Sequence, residues 1–475
     1  MSFNEYESYD ALGLAELVRN GEISPNEILD EALARMDALN PTLNAIVIPM
    51  QEQARASIQN GLPEGPLRGV PFLLKDLAVL YAGVPTTHGC RLFSDHVPDH
   101  DSEIVIRYKR AGLVIFGKSA SPEFGLTTTT ESTLFGQTRN PWNLEHVAGG
   151  SSGGAAAAVA AGILPGAHAS DGGGSIRIPA ACCGLFGLKP SRGRIPFGPD
   201  VGEGWSGMST MHAVTRSVRD NAVLLDAVEG PDVGAPYQAK PKERPYLEEM
   251  DRDPGRLRIA LIGETFNGLP THPDCQAAVR DAALLCESLG HEVEEAQLSV
   301  DRQALGTSGQ AIMGGNVASL LDDRAATLGR ELTPDDVEPF TWVTTEGARQ
   351  RSALDYARAI REIHAVGRKV ERFLTDYDMI LTPTMGAPPE KLGVPSLSNP
   401  DTKQLVTALL TSVGYTQLFN ASGHPAMSIP LYWNEAGLPI GIQFAARLGD
   451  EGGLLRLAAQ LERARPWADR RPELR

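Results

Sequence analysis

Apolar positions along the chain change rhythm repeatedly, and each change marks an element. Ile28, Leu29, Ala32, Leu33 and Met36 recur at helical spacing directly after Ser24-Pro25-Asn26-Glu27. That tetrapeptide predicts a helix start: Ser24 caps, Pro25 suits the first turn and Glu27 completes a capping box. Gly69-Val70-Pro71-Phe72-Leu73-Leu74 is instead an unbroken apolar run bounded by turn residues, and it reads as a buried strand with Lys75 and Asp76 at its end. Residues 105–110 predict helix, and residues 113–116 a strand closed by Gly117. The alanine-rich run 155–161 is strongly helix-favouring. Residues 257–262, 274–289 and 292–293 read as strand, helix and strand, a β–α–β unit. Residues 303–376 are helical and charged, and 383–400 form a proline-rich loop. Residues 426–430 and 438–445 read as strands around a turn at 434–437, and 454–461 lie in a final helix. Strands and helices alternate along most of the length, which predicts an α/β architecture with helices on both sheet faces. The nearest approach to a linker is the Pro- and Glu-rich stretch 230–254.

Composition narrows the class. The chain has 475 residues, 42% hydrophobic and 21% charged, with a net charge of −16. An acidic protein without a Lys/Arg cluster is a poor match for nucleic acid or an anionic membrane surface. Five cysteines without a C-x-x-C pair point to a reducing compartment, with Cys182-Cys183 as buried packing. The acidic, polar N-terminus does not read as a signal peptide, and the run 155–164, about ten residues, is too short to span a bilayer. The expected location is cytoplasmic.

Chemistry concentrates in two serine-bearing glycine clusters, Gly149-Gly150-Ser151-Ser152-Gly153-Gly154 and Ser170-Asp171-Gly172-Gly173-Gly174-Ser175-Ile176-Arg177. Glycine allows close backbone approach, so N–H groups can converge on one point, and a serine beside them can attack a carbonyl held there. Gly149 to Gly153 formally satisfies the G-x-S-x-G nucleophile elbow. That elbow needs a preceding strand and a later acid and His. Residues 143–148 make a poor strand, and His168, His212, His272, His291, His364 and His424 have no distinguishing context beyond His424 preceding Pro425. Neither cluster carries the Lys-Ser/Thr of a phosphate-binding loop, and no metal-ligand spacing is present.

With Lys75-Asp76 upstream, these clusters resemble the amidase signature family. The match extends through Phe135-Gly136-Gln137-Thr138-Arg139-Asn140-Pro141-Trp142, Cys183-Gly184-Leu185-Phe186-Gly187-Leu188-Lys189-Pro190 and Gly437-Leu438-Pro439-Ile440-Gly441-Ile442-Gln443. The resemblance implies an α/β amidase signature fold, a large mixed central sheet with helices on both faces. It implies one domain over residues 1–475, with its core at about 60–225 and 255–465 and a helical substrate-side insertion at about 303–376. It further implies a Ser–cis-Ser–Lys triad, with Ser175 the nucleophile, Ser151 the serine after a cis peptide and Lys75 the base. Lysine must be neutral to accept a proton. Burial must therefore bring it from about 10.4 to near neutrality, a bias on the order of 4 kcal/mol. Phe72, Leu73 and Leu74 could supply that desolvation, while Asp76 points to the opposite face.

The backbone of Gly172, Gly173, Gly174 and Ser175 is expected to form the oxyanion hole. Asp171 and Arg177 are expected to brace the glycine loop, with Ser152 behind Ser151 and Gly125 and Thr127 beside the substrate. Many members carry Thr or Ile where this chain has Gly172, which implies extra room or flexibility there. The stretch 170–194 with Gly202-Glu203-Gly204-Trp205 is similar to bacterial amidases resembling 6-aminohexanoate cyclic-dimer hydrolase, a subgroup acting on synthetic or xenobiotic amides. The pocket walls are expected from residues 127–135, 205–208 and 313–316. The implied partner is a small-molecule amide or carbamate, with no cofactor, no metal, no nucleic acid and no membrane, and with a homodimer left open. The alternative is the subunit of an amidotransferase that amidates misacylated tRNA. That subunit usually carries Gln after the S-I-R arginine, where this chain has Ile178.

Overall fold

Burial on both faces explains why several strands read as continuous apolar runs. The computed structural model describes Phe3 and residues 5–474. A three-stranded sheet is built from β1 (Ile46–Pro49), β2 (Pro71–Lys75) and β3 (Val114–Ser119) in the order β1-β3-β2, with β2 and β3 parallel. All five residues of β2 are buried. Two small ribbons follow, β4 (Glu131–Ser132) with β5 (Gly136–Gln137) and β6 (Arg139–Asn140) with β7 (Asn143–Val147).

The main sheet comprises β8 (Gly166–Asp171), β9 (Phe186–Lys189), β10 (Thr210–Thr215), β11 (Arg258–Leu261), β12 (Glu292–Glu295), β13 (Met379–Pro383), β14 (Ala426–Trp433) and β15 (Pro439–Ala445). Its order is β12-β11-β13-β15-β14-β9-β10-β8. It is mixed: β11 runs parallel to β12 and β13, and the remaining pairs are antiparallel. Helix Pro273–Ser288 connects β11 to β12, as the β–α–β pattern predicts.

The helix Gly153–Ala160 packs on strands of both sheets and has every residue buried. Its alanines let it sit close to strand backbones, and a helix apolar all round belongs in a core. Helix Pro25–Leu43 has both halves of the Ser24–Glu27 capping box and buries Ile28, Leu29, Ala32, Leu33 and Met36. The charged stretch after residue 302 forms three helices, Arg302–Leu328, Pro339–Arg349 and Ala353–Phe373. The five cysteines are free and buried.

Two local expectations are corrected. β3 does not stop at Gly117 but runs through it, with a register shift opposite Phe72 and Leu73. A Cβ on Gly117 would lie 3.1 Å from both Ile46 and Leu73 side chains, so the glycine marks tight packing at a bulge, not an end. Residues 143–147 do form a strand, β7. It pairs with β6 in a ribbon apart from both larger sheets and bridges from His146 to Lys391 on its other side, so it needs no apolar alternation.

Candidate active site

Three elements end at one point. β2 delivers Lys75 at its last residue, the buried helix Gly153–Ala160 begins just after Ser151 and Ser152, and β8 delivers Ser170 and Asp171 into the glycine turn. The Lys75 backbone N–H donates to His168 Nδ1 at 3.2 Å and so ties the end of β2 to β8. The Lys75 side chain is fully buried, and its Nζ donates to Ser151 Oγ at 2.7 Å and to Ser170 Oγ at 3.0 Å. Burial pulls its pKa from 10.5 to about 7, and the Asp171 carboxylate pulls weakly the other way. Asp76 goes elsewhere: its carboxylate accepts the Thr87 N–H at 2.9 Å and faces Lys118.

Burial alone does not single out Lys75. It also lowers Lys118 to about 8 and Lys189 to about 7. Lys118 donates to Pro85 O at 2.7 Å and Thr86 Oγ1 at 2.6 Å, and Lys189 to Pro190 O at 2.8 Å. Of the three, Lys75 is the one that touches a serine hydroxyl.

The Gly150–Ser151 peptide is cis. A Cβ on Gly150 would lie 2.2 Å from the Thr129 carbonyl oxygen, so only glycine fits there. Ser152 stands behind Ser151: its Oγ donates to Ser170 O at 3.2 Å and accepts the Ser170 N–H at 3.3 Å. Gly125 lies directly against Ser151, since a Cβ on it would come within 3.0 Å of Ser151 Oγ. The Thr127 hydroxyl donates to Pro395 O, which leaves it no proton for a substrate. In the same segment, Thr130 Oγ1 accepts the Gly153 N–H at 2.9 Å and donates to Gly149 O at 3.0 Å. The Thr130 hydroxyl thus buttresses the serine cluster from both sides.

Asp171 and Arg177 pair at 2.9 Å along both edges, with neither side chain exposed. Burial would raise Asp171, but the Arg177 guanidinium overrides it and holds the carboxylate well below the usual range. Asp171 also accepts the N–H of Gly174 at 2.7 Å and of Ile176 at 3.2 Å. Gly174 therefore drops out of the expected set of oxyanion donors, because its N–H is already held. Among the described residues, the N–H groups of Gly172, Gly173 and Ser175 have no partner. The Ser175 side chain likewise hydrogen-bonds to neither Ser151 nor Lys75. The room expected at Gly172 is filled, because a Cβ there would lie 2.7 Å from the Trp205 ring.

A family model described as Amidase matches residues 27–455. The chain belongs to the amidase family. It is an amide hydrolase. It is 40% identical to the 6-aminohexanoate-cyclic-dimer hydrolase of Pseudomonas sp. (strain NK87), over 98% of this chain and 96% of that one. The solved structure of 6-aminohexanoate cyclic dimer hydrolase complexed with substrate matches with a TM-score of 0.93 and 39% identity, covering 98% of this chain and 99% of that one. A bacterial aryl acylamidase belonging to the amidase signature enzymes matches with a TM-score of 0.88 and 29% identity over 97% of each chain.

No histidine of this amidase forms a serine–histidine pair among the described residues. His424 Nε2 bonds Glu371 at 2.7 Å, His212 Nε2 bonds Asn221 at 2.7 Å and His291 Nε2 bonds Gln460 at 2.7 Å. Burial pushes His168 down to about 3, so the imidazole beside Lys75 stays neutral. A cavity of about 960 Å³ is lined by Ile262, Phe266, Gln276, Arg280, Leu298 and Arg302 among others, and Ser151, Ser170 and Ser175 are not part of its lining. No described helix is long and apolar enough to cross a membrane.

Sequence reasoning missed Ser170 as a partner of Lys75. The signal was its alternation with His168 in a strand, which puts both on one face. It also missed the outer brace of the glycine turn, Asn420, Thr416 and Gln443, which bond Asp171 and Arg177 from distant parts of the chain.

Proposed function

We propose that this amidase cleaves the C–N bond of small or xenobiotic amides, with carbamates as further substrates, through an acyl-enzyme on Ser175. The reading rests on the hydrogen bond of Lys75 to Ser151 in a pocket where burial brings the amine to about 7. In its neutral form Lys75 keeps one N–H for Ser170 and offers its lone pair to the Ser151 hydroxyl. Ser151 in turn accepts the Ser175 proton as Ser175 Oγ attacks the carbonyl carbon. That link closes when substrate is bound, as catalytic hydrogen bonds commonly do. The developing oxyanion takes hydrogen bonds from the free N–H groups of Gly172, Gly173 and Ser175. The proton returns through Ser151 to the leaving amine, the C–N bond breaks, and water releases the acid by the same relay. A carbamate passes through the same tetrahedral oxyanion, so this machinery does not discriminate against it.

The test is a panel of small amides, aryl carbamates and esters, each offered to the purified chain alone. Turnover of a p-nitroanilide without any partner is expected, and it decides against the amidotransferase-subunit alternative. Ser175→Ala should abolish turnover. Full activity in that variant, or activity only with added subunits and glutamine, would end the proposal.

A further inference from the structure

The loop that carries Trp205 is held in an unusual backbone state. Trp205 and Ser206 have φ of +50° and +52°, and Gly207 follows at +78°. Residues with side chains rarely adopt the left-handed region, and where they do the surroundings over-determine them, most often at functional sites. Here the surroundings are specific. Trp205 O accepts the Met208 N–H at 3.1 Å, and Arg192 Nε donates to Gly207 O at 2.6 Å. The Ser206 and Tyr356 hydroxyls share a hydrogen bond of 2.7 Å, which ties the loop to helix Ala353–Phe373.

This geometry lays the indole against the glycine turn. A Cβ on Gly172 would lie 2.7 Å from both Cε3 and Cζ3 of Trp205, whereas a Cβ on Gly173 would meet nothing within 4 Å. One glycine of the turn is therefore covered by an aromatic face, and the next looks into open space. The half-buried ring also packs against two separate apolar clusters, one containing Met208 and Phe419 and the other Phe124 and Leu126. Packed against both, it cannot swing aside without disturbing one of them.

We propose that Trp205 sets how much bulk a substrate can carry beside its scissile carbonyl, its indole standing in the space that Gly172 leaves free. This rests on the reading that the glycine turn holds the carbonyl oxygen for attack by Ser175. The flat apolar wall favours compact acyl groups over branched or aryl ones, because a bulkier group must displace a ring that has nowhere to go. Gly172 and Trp205 then form a matched pair: a side chain at 172 and an indole at 205 exclude one another.

The experiment compares kcat/KM for acetyl and benzoyl p-nitroanilide in wild type, Trp205→Ala, Trp205→Phe, Gly172→Thr and the Gly172→Thr/Trp205→Ala double variant, each checked for folding by circular dichroism. Trp205→Ala should raise the benzoyl-to-acetyl ratio about tenfold or more, the range that pocket shape commands. Trp205→Phe should move it in the same direction by less, and it carries the test if the alanine variant does not fold. Gly172→Thr should lower both rates together, and Trp205→Ala on top of it should recover them. An unchanged ratio, or a double variant no better than Gly172→Thr, overturns the pairing. Ser175→Ala separates the two levels: an inert Ser175→Ala with an unchanged ratio removes only the role of Trp205, whereas an active Ser175→Ala removes the reading beneath it.

Discussion

Asp171 and Arg177 meet along two edges at 2.9 Å in the interior, and the same carboxylate accepts the N–H groups that shape the glycine turn. A charge pair this deep survives because every remaining hydrogen-bonding atom is matched: Arg177 also donates to Thr416 O, Gln443 Oε1 and Asn420 Oδ1. Removing one partner leaves the other charged and unpaired. Arg177→Met is therefore expected to destabilise the fold by about 3–5 kcal/mol. Asp171→Asn/Arg177→Met should lose less than the sum of the two single changes, because no bare charge remains. Urea denaturation of the three variants measures this, and a single variant melting like wild type contradicts it.

The proton inventory of Lys75 gives a pH dependence with a definite sign. In the folded chain the amine loses its proton near 7, whereas the unfolded chain holds it to about 10.5. The unfolded state thus binds more protons between those values, and this group makes stability rise with pH across that window and fall as pH drops toward 7. Activity needs the neutral amine, so kcat/KM should climb tenfold per pH unit below about 7 and level off above it. Lys75→Met should lower kcat/KM by roughly 100- to 10,000-fold and erase the limb. Lys189→Met should leave the limb in place, because Lys189 touches Pro190 O and no serine. A profile from pH 5 to 9 on the three proteins checks each statement.

Ser170 tunes that same amine. Its Oγ accepts from Lys75 Nζ at 3.0 Å, an interaction that favours the charged form. Ser170→Ala should therefore move the acid limb to lower pH while reducing the plateau, since the amine loses one of the two contacts that orient it. A limb that moves to higher pH, or a plateau unchanged within twofold, counts against this role.

How far the sequence carried depends on the distance over which each contact acts. The helix start at Ser24, the buried run ending in Lys75 and the two glycine clusters are local patterns, and each appears where the spacing places it. The juxtaposition of Lys75 with Ser170 needs the end of β2 set against β8, which belong to different sheets. No periodicity encodes that meeting. The Gly174 N–H was expected to be free because a glycine run looks permissive. It is engaged because Asp171 folds back onto its own turn, a side-chain choice invisible in spacing alone. The indole of Trp205 over Gly172 was legible only as a substitution, a missing side chain at 172, without any hint of what stands in its place.

Tyr356 is the point at which the helical region holds the Trp205 loop. Its hydroxyl bonds Ser206 Oγ at 2.7 Å and accepts from Asn316 Nδ2 at 3.0 Å, so one atom joins helix Arg302–Leu328, helix Ala353–Phe373 and the left-handed turn. Tyr356→Phe removes that atom and keeps the ring. The loss of two neutral hydrogen bonds is worth about 1–3 kcal/mol, and the turn at Trp205 and Ser206, already in a sparsely populated backbone region, should relax first. Because Lys75, Ser151 and Ser170 lie outside this network, KM should rise several-fold while kcat changes by less than threefold, and the pH limb should stay where it was. A fall in kcat with KM unchanged would place Tyr356 in the chemistry instead, and steady-state kinetics on the purified variant distinguishes the two.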